Sequence, residues 1–272
     1  MTQAYNDFLN RLPDQDGLDY WVSQITQCNS NVQCLRDKRV DVSNAFFYEL
    51  EYQQTGTFTY RLYRAAFGND QPSPNPDNSN ATEAKKLPGY AVFAPDRARV
   101  RGAALAETQL ALANGFVQRS AFLTKYPASL STAAQFIDAV LATIQSTGGV
   151  DLSAQKAALT DVYNNAGGGD AGRGSVMYRL VNDDLAGGNG GINNRLFIDA
   201  EYNRGFVVTQ YFGYLRRDPD IGGFLFWLGQ VNAGPLRDAG KQHGMVCSFI
   251  TSDEYQKRFG PTSSRNNGEC PQ

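Results

Sequence analysis

The sequence predicts an all-α protein, built from repeated helix-turn-helix units packed into a multi-helix bundle. Three observations lead there. One pattern is written twice, far apart: Arg11, Pro13, Asp14, Gly17 and Trp21 recur as Arg217, Pro219, Asp220, Gly223 and Trp227, each 206 residues on. Elsewhere apolar residues recur three or four positions apart between Pro, Gly, Ser and Asp, which is the spacing and punctuation of buried helices. No sustained alternation of apolar and polar residues appears, and only the short stretch 89–94 reads as a strand. Hydrophobic residues make up 42% of the 272, with 16 Phe and 14 Tyr, enough for the core of one large or two ordinary domains.

The first repeat unit spans 1–56. Tyr5, Phe8 and Leu9 have the spacing of a helical stripe. Pro13 ends that helix by pushing its predecessor out of the helical region. Asp14 then caps a second helix by accepting free backbone amides, Gly17 allows an unusual turn or a close helix approach, and Trp21 falls inside the second helix in a buried position. Arg11 is placed to bridge the turn to Asp14, three residues on. Downstream, Val42, Ala45, Phe46, Phe47, Glu49, Glu51 and Tyr52 form a further helix.

Residues 57–130 read as a degenerate unit. The stretch from Tyr60 through Tyr63, Arg64 and Phe67 to Gly68 looks like the first helix of another copy, but a Pro/Asn/Ser-rich loop over 69–80 replaces the Pro-Asp turn and its Trp. Asn80 and Thr82 form a glycosylation sequon. Helical spacing returns from Gly102 to Lys125 and stops at Pro127, and Phe116, Arg119, Ser120, Phe122 and Tyr126 echo the last helix of the repeat. Residues 131–201 form a helical connector. Ser131 caps a helix over 132–146 that buries Phe136, Val140, Leu141 and Ile144 and ends at Gly148 and Gly149; Asp151 or Ser153 caps another, to about Asn165. The Gly-rich loops 167–172 and 187–191 bracket a helix over 173–184. The second full repeat unit and its tail occupy 202–272, with Phe206, Tyr211, Tyr214 and Leu215 in the first helix and Met245, Phe249, Ser252, Glu254, Tyr255, Phe259 and Gly260 after the turn.

Arg-x-Pro-Asp-x-x-Gly-x-x-aromatic-Trp, followed by a helix ending Phe-x-x-Ser-x-Glu-Tyr, resembles the bacterial secreted-protein family catalogued as domain of unknown function 4214. The resemblance covers 5–52 and 202–260. It implies an all-helical module of exported or surface proteins, and it brings no catalytic residues. That module is itself distantly similar to the linker domain of phycobilisomes, a helical protein that joins other proteins.

Function classes narrow on charge and chemistry. A net charge of −2 with scattered Lys and Arg gives no drive toward nucleic acid. No run reaches the roughly 18 apolar residues that span a bilayer. Residues 1–20 are too charged for a signal peptide, so an exported protein would be numbered after a removed signal, or the chain is a fragment. Four Cys allow three pairings, and locality favours Cys28–Cys34 and Cys247–Cys270, the second tethering the tail. Two disulfides imply periplasm, cell surface or medium.

No catalytic set emerges. The single His243 has no nucleophile elbow to serve. Neither Gly-rich loop is followed by the Lys of a phosphate cradle. Asp14 with Asp16, or Asp218 with Asp220, lack the further ligands of a calcium loop. The sequence therefore predicts a non-catalytic extracellular interaction or structural module, with no cofactor, whose partners are other proteins or copies of itself. A secreted polysaccharide hydrolase using two of the 27 Asp and Glu residues, and a calcium-stabilised adhesive domain, are the alternatives.

Overall fold

The computed structural model describes residues 2–9, 11–48, 50–102, 104–183, 189–259 and 270. Glu49, Asp184, Gly187, Gly188 and Gly260, which the sequence reading invoked, and most of the tail after Gly260 lie outside the described residues. The chain is all-α, a multi-helix bundle, with no strand among the described residues. An isolated antiparallel bridge pairs Pro74 with Pro88.

The first repeat holds α1 (Thr2–Ala4, continuing as a π-helical turn over Tyr5–Leu9), α2 (Gln15–Thr26) and α3 (Val32–Tyr48). The long α4 (Leu50–Phe67) leads into the middle of the molecule. There lie α5 (Ala81–Ala84), α6 (Tyr90–Arg97), α7 (Leu105–Phe116), α8 (Ser120–Lys125), α9 (Ala133–Gly148), α10 (Lys156–Asn165) and α11 (Gly169–Val181). The second repeat opens with α12 (Arg195–Gln210, continuing as a π-helical turn over Tyr211–Leu215) and continues through α13 (Ile221–Asn232), α14 (Ala239–Ile250) and α15 (Asp253–Lys257). The π-turns and the helices α2 and α13 sit at equivalent places in the two repeats, 206 residues apart.

Local chemistry corrects four sequence expectations. The stretch 89–94 is not a strand: Gly89, extended, is the N-cap of α6 and residues 90–94 are helical. Thr132, not Ser131, caps α9: its side chain accepts from the Gln135 amide and the Gln135 side chain reaches back, a capping box. The helix expected over 173–184 starts earlier, so Gly169 and Gly172 of the supposed loop lie within it. The run Gly102–Lys125 is two helices, broken at residues 117–119. Phe136, Val140, Leu141 and Ile144 face inward as their spacing predicts.

Buried apolar residues gather in two clusters. One joins α4 with α7 to α11 around Phe58, Leu62, Phe116, Phe122, Phe136 and Met177. The other joins the two repeats, distant in sequence, around Phe8, Phe46, Tyr52, Phe206, Tyr214 and Phe249. Phe8 meets Tyr214 edge-on at 4.8 Å, a contact contributing about 1 kcal/mol beyond its burial. Gly213 lets the rings approach, since a Cβ there would lie 2.7 Å from the Phe8 ring. Beside it Asp7, 2% exposed, accepts from Arg216 at 2.8 Å and from Arg258 at 2.9 Å. One carboxylate of the first repeat thus neutralises arginines of the second, as a buried charge requires. A second buried pair, Arg64 with Glu201 at 2.8 Å, ties α4 to α12 and also takes the Tyr60 hydroxyl.

Candidate functional site

The repeated turn assembles as a structural device. Asp14 accepts from the Gly17 amide at 2.8 Å, and Asp220 from the Gly223 amide at 2.7 Å. The Gly17 amide is the first cause holding the Asp14 carboxyl below its usual range. Gly17 and Gly223 serve close approach: a Cβ at either would fall on the phenolic oxygen of Tyr5 or Tyr211. Pro13 and Pro219 lie in the non-helical link before each cap.

The arginines do more than the sequence indicated. Arg11 reaches Asp14 at 3.2 Å and Arg217 reaches Asp220 at 3.6 Å, as their spacing predicts. The stronger partners are carboxylates beyond the turn. Arg11 forks onto Glu51 at 2.8 and 2.7 Å, and Arg217 onto Glu254 at 2.5 and 2.9 Å. The Arg217 hydrogen bond holds the Glu254 carboxyl below its ordinary value. The recurrence of Glu before Tyr52 and Tyr255 was the available signal.

Trp21 and Trp227 occupy equivalent positions and are half-buried, less covered than the buried positions expected of them. Each packs inward, Trp21 tilted at 5.5 Å from Phe46 and Trp227 edge-on at 6.2 Å from Phe249. The other side meets an exposed neighbour edge-on: Tyr20 at 4.9 Å and Phe226 at 5.1 Å. Tyr20 and Phe226 are each 57% exposed, at matching positions of the two repeats.

The central unit has the same inner geometry with a different cover. Tyr63 meets Phe116 edge-on at 5.0 Å, as Tyr5 meets Phe46 and Tyr211 meets Phe249, both at 4.9 Å. Counting from these rings, Asn69 stands where the repeats have Arg11 and Arg217, and Ala121 where they have Glu51 and Glu254. Both halves of the clamp are missing together, and so is the Trp. In their place is a cleft of about 600 Å³ whose aromatic wall is Tyr63, Phe67 and Phe116. Asp96 of α6, buried, is its one carboxylate among the described residues. Arg119 forks onto Asp96 at 2.7 and 2.6 Å, the Tyr63 hydroxyl donates to it at 2.7 Å, and the Arg119 guanidinium lies 4.7 Å above the Phe116 ring. Burial, then Asp96, pushes the Tyr63 phenol up, so it stays a neutral donor. The irregular loop carrying Pro72 and Ser73 forms the outer wall. It is fastened to the second repeat by Asn75, which donates to the Pro219 carbonyl at 2.7 Å, and by Asp77, which accepts from the Ile221 amide at 2.6 Å.

The remaining candidates are dispersed. His243 lies half-buried in α14 with Nε2 3.2 Å from the Asp41 carboxylate. Asp218 accepts from the Tyr90 amide at 2.7 Å, and burial pushes its carboxyl up. Asp16 sits exposed in the first turn of α2. No group of three or more His, Cys, Asp or Glu is placed to hold a metal among the described residues. Both expected disulfides are present, Cys28–Cys34 with Cα atoms 5.4 Å apart and Cys247–Cys270 with Cα atoms 5.7 Å apart. Two disulfides are compatible with a secreted or extracellular protein. No helix among the described residues is long and apolar enough to cross a membrane. Comparison of the chain with protein-family models, curated proteins and solved structures gave no match.

Proposed function

We propose that the chain is a non-catalytic extracellular module that holds protein partners, or further copies of itself, in a surface or secreted assembly. One observation carries this reading: both full repeats present a large aromatic to solvent at the same position, Tyr20 on α2 and Phe226 on α13, each steadied edge-on by a half-buried Trp. Rigid exposed aromatics are the typical anchors of protein interfaces, where burying a ring costs little side-chain entropy. The disulfides and the family resemblance support the extracellular placement. The hydrolase alternative needs two facing carboxylates; among the described residues the lining of this cleft carries Asp96 alone.

The test is photocrosslinking in the native assembly, with a benzophenone amino acid at position 20, 226 or, as a polar control, 161. Protein adducts from 20 and 226 but not from 161 are expected. Equal adducts from all three, or none from any, would overturn the reading.

A further inference from the structure

We propose that the outward face of α13 docks on the same face of a second copy of this chain, the two helices pairing antiparallel about a two-fold axis. The inference rests on the reading above at Phe226 and names its partner there. The two repeats supply the comparison that carries it. α2 and α13 hold the same place in the fold, 206 residues apart. At matching exposed positions α2 carries Asp16, Asp19 and Tyr20, whereas α13 carries Gly222, Leu225 and Phe226. The fold is therefore served by a charged outer face at this place, and the apolar face of α13 answers to something outside the fold. From Ile221 to Leu236 no residue is charged. Among the described helices of eight or more residues, α13 alone carries no charge.

That neutrality restricts the partner. A carboxylate or ammonium pressed against Leu225 and Phe226 would be buried without a counter-ion, so the complementary surface is itself uncharged. The spacing then selects the chain itself. Gly222, Leu225, Phe226 and Gly229 fall on one side of the helix, and their order of small, large, large, small reads alike in both directions. An antiparallel two-fold pairing maps this row onto itself. Gly222 of one copy then faces Gly229 of the other, and Leu225 faces Phe226. Nothing lies within 4 Å of where a Cβ on either glycine would stand, so the backbones can approach at both ends while the larger side chains interdigitate between them. Trp227 braces Phe226 edge-on at 5.1 Å, which presents the ring already oriented. A single pair of short helices buries less than the roughly 1,200–2,000 Å² of a stable interface, so the dimer is weak alone and is reinforced by further contacts in an assembly.

Sedimentation velocity of the purified full chain, from about 1 μM to about 1 mM, tests this. A monomer–dimer equilibrium is expected. Gly222→Asp with Leu225→Asp and Phe226→Tyr gives α13 the residues that α2 bears, so the fold should persist and the dimer weaken at least about tenfold. Gly229→Gln fills one glycine notch while raising helix propensity, and should weaken the dimer likewise. A benzophenone amino acid at position 226 should give an adduct of twice the chain's mass, attached within residues 222–229 of the other copy. A chain that stays monomeric throughout overturns the inference, as does a dimer that both variants leave unchanged while circular dichroism shows them folded. In a monomeric chain, adducts from position 226 to a different protein would leave the outward aromatics as anchors and sink only the self-pairing. No adduct from position 226 sinks both.

Discussion

The outer repeats and the central unit share an edge-on Tyr–Phe pair and differ in what closes over it. In the repeats a Trp-bearing helix covers the pair, and an Arg–Glu fork that solvent reaches locks the turn. In the centre the helix, the Arg and the Glu are gone. The short α6 and the buried Asp96 replace them, and Arg119 comes from the other side. The same inner pair is thus compatible with two locks, one at the surface and one inside. The difference predicts where each unit is fragile.

The largest effect should separate the two locks. Asp96→Ala strands the Arg119 guanidinium in a partly buried site and should cost about 3 kcal/mol, against less than about 1 kcal/mol for Glu254→Ala. Urea denaturation of both variants measures the gap, and equal losses would show that the locks are energetically alike. Next in size is the tail of the second repeat. Replacing Cys247 and Cys270 by Ser should lower stability by about 3 kcal/mol, more than replacing Cys28 and Cys34, because loop-closure entropy grows with loop length and the separations are 23 and 6 residues. Thermal melts of the two double variants rank them.

A smaller effect probes the cover. Gly223→Ala drives a methyl onto the Tyr211 hydroxyl and should cost about 1–3 kcal/mol, with partial rescue by Tyr211→Phe, which removes the clashing oxygen. A double-mutant cycle without coupling would show that the clash is relieved by other means. The smallest effect concerns pH. Glu254 is held below its ordinary value of 4.5, so the stabilisation it provides is complete above that pH and is lost as pH falls through the lower folded value. The difference in melting temperature between the native chain and Arg217→Ala should therefore be small at pH 7 and shrink further in acid. A difference that grows in acid would contradict the assigned direction.

What could be read from the sequence was local. Asp14 and Asp220 announce themselves as caps because the cap and the amide it binds lie three residues apart. Cys28 and Cys34 pair across one turn for the same reason. What could not be read was set by partners far along the chain. Glu51 lies 40 residues from Arg11, and a recurring Glu gives no direction toward it. The two Trp residues were expected to be buried because the repeat was read as a packing unit, but α2 is an outer helix with no fully buried residue. The stretch 89–94 alternates too briefly to decide between strand and helix. The cleft was not legible: the central unit lacks its Trp, yet Phe116 is as buried as Phe46, with the Arg119 guanidinium over its ring.

The shared core of the two repeats has a consequence for synthesis. Phe8 and Asp7 complete their packing only with Tyr214, Arg216 and Arg258, more than two hundred residues later. During synthesis Phe8 therefore lacks its Tyr214 contact, and Asp7 its Arg216 and Arg258 partners, until nearly the whole chain has emerged. The central helices, whose contacts are nearer in sequence, are free to consolidate first. Closure of the two ends is then the late, long-range step of folding, the stage at which exposed aromatics are most open to aggregation.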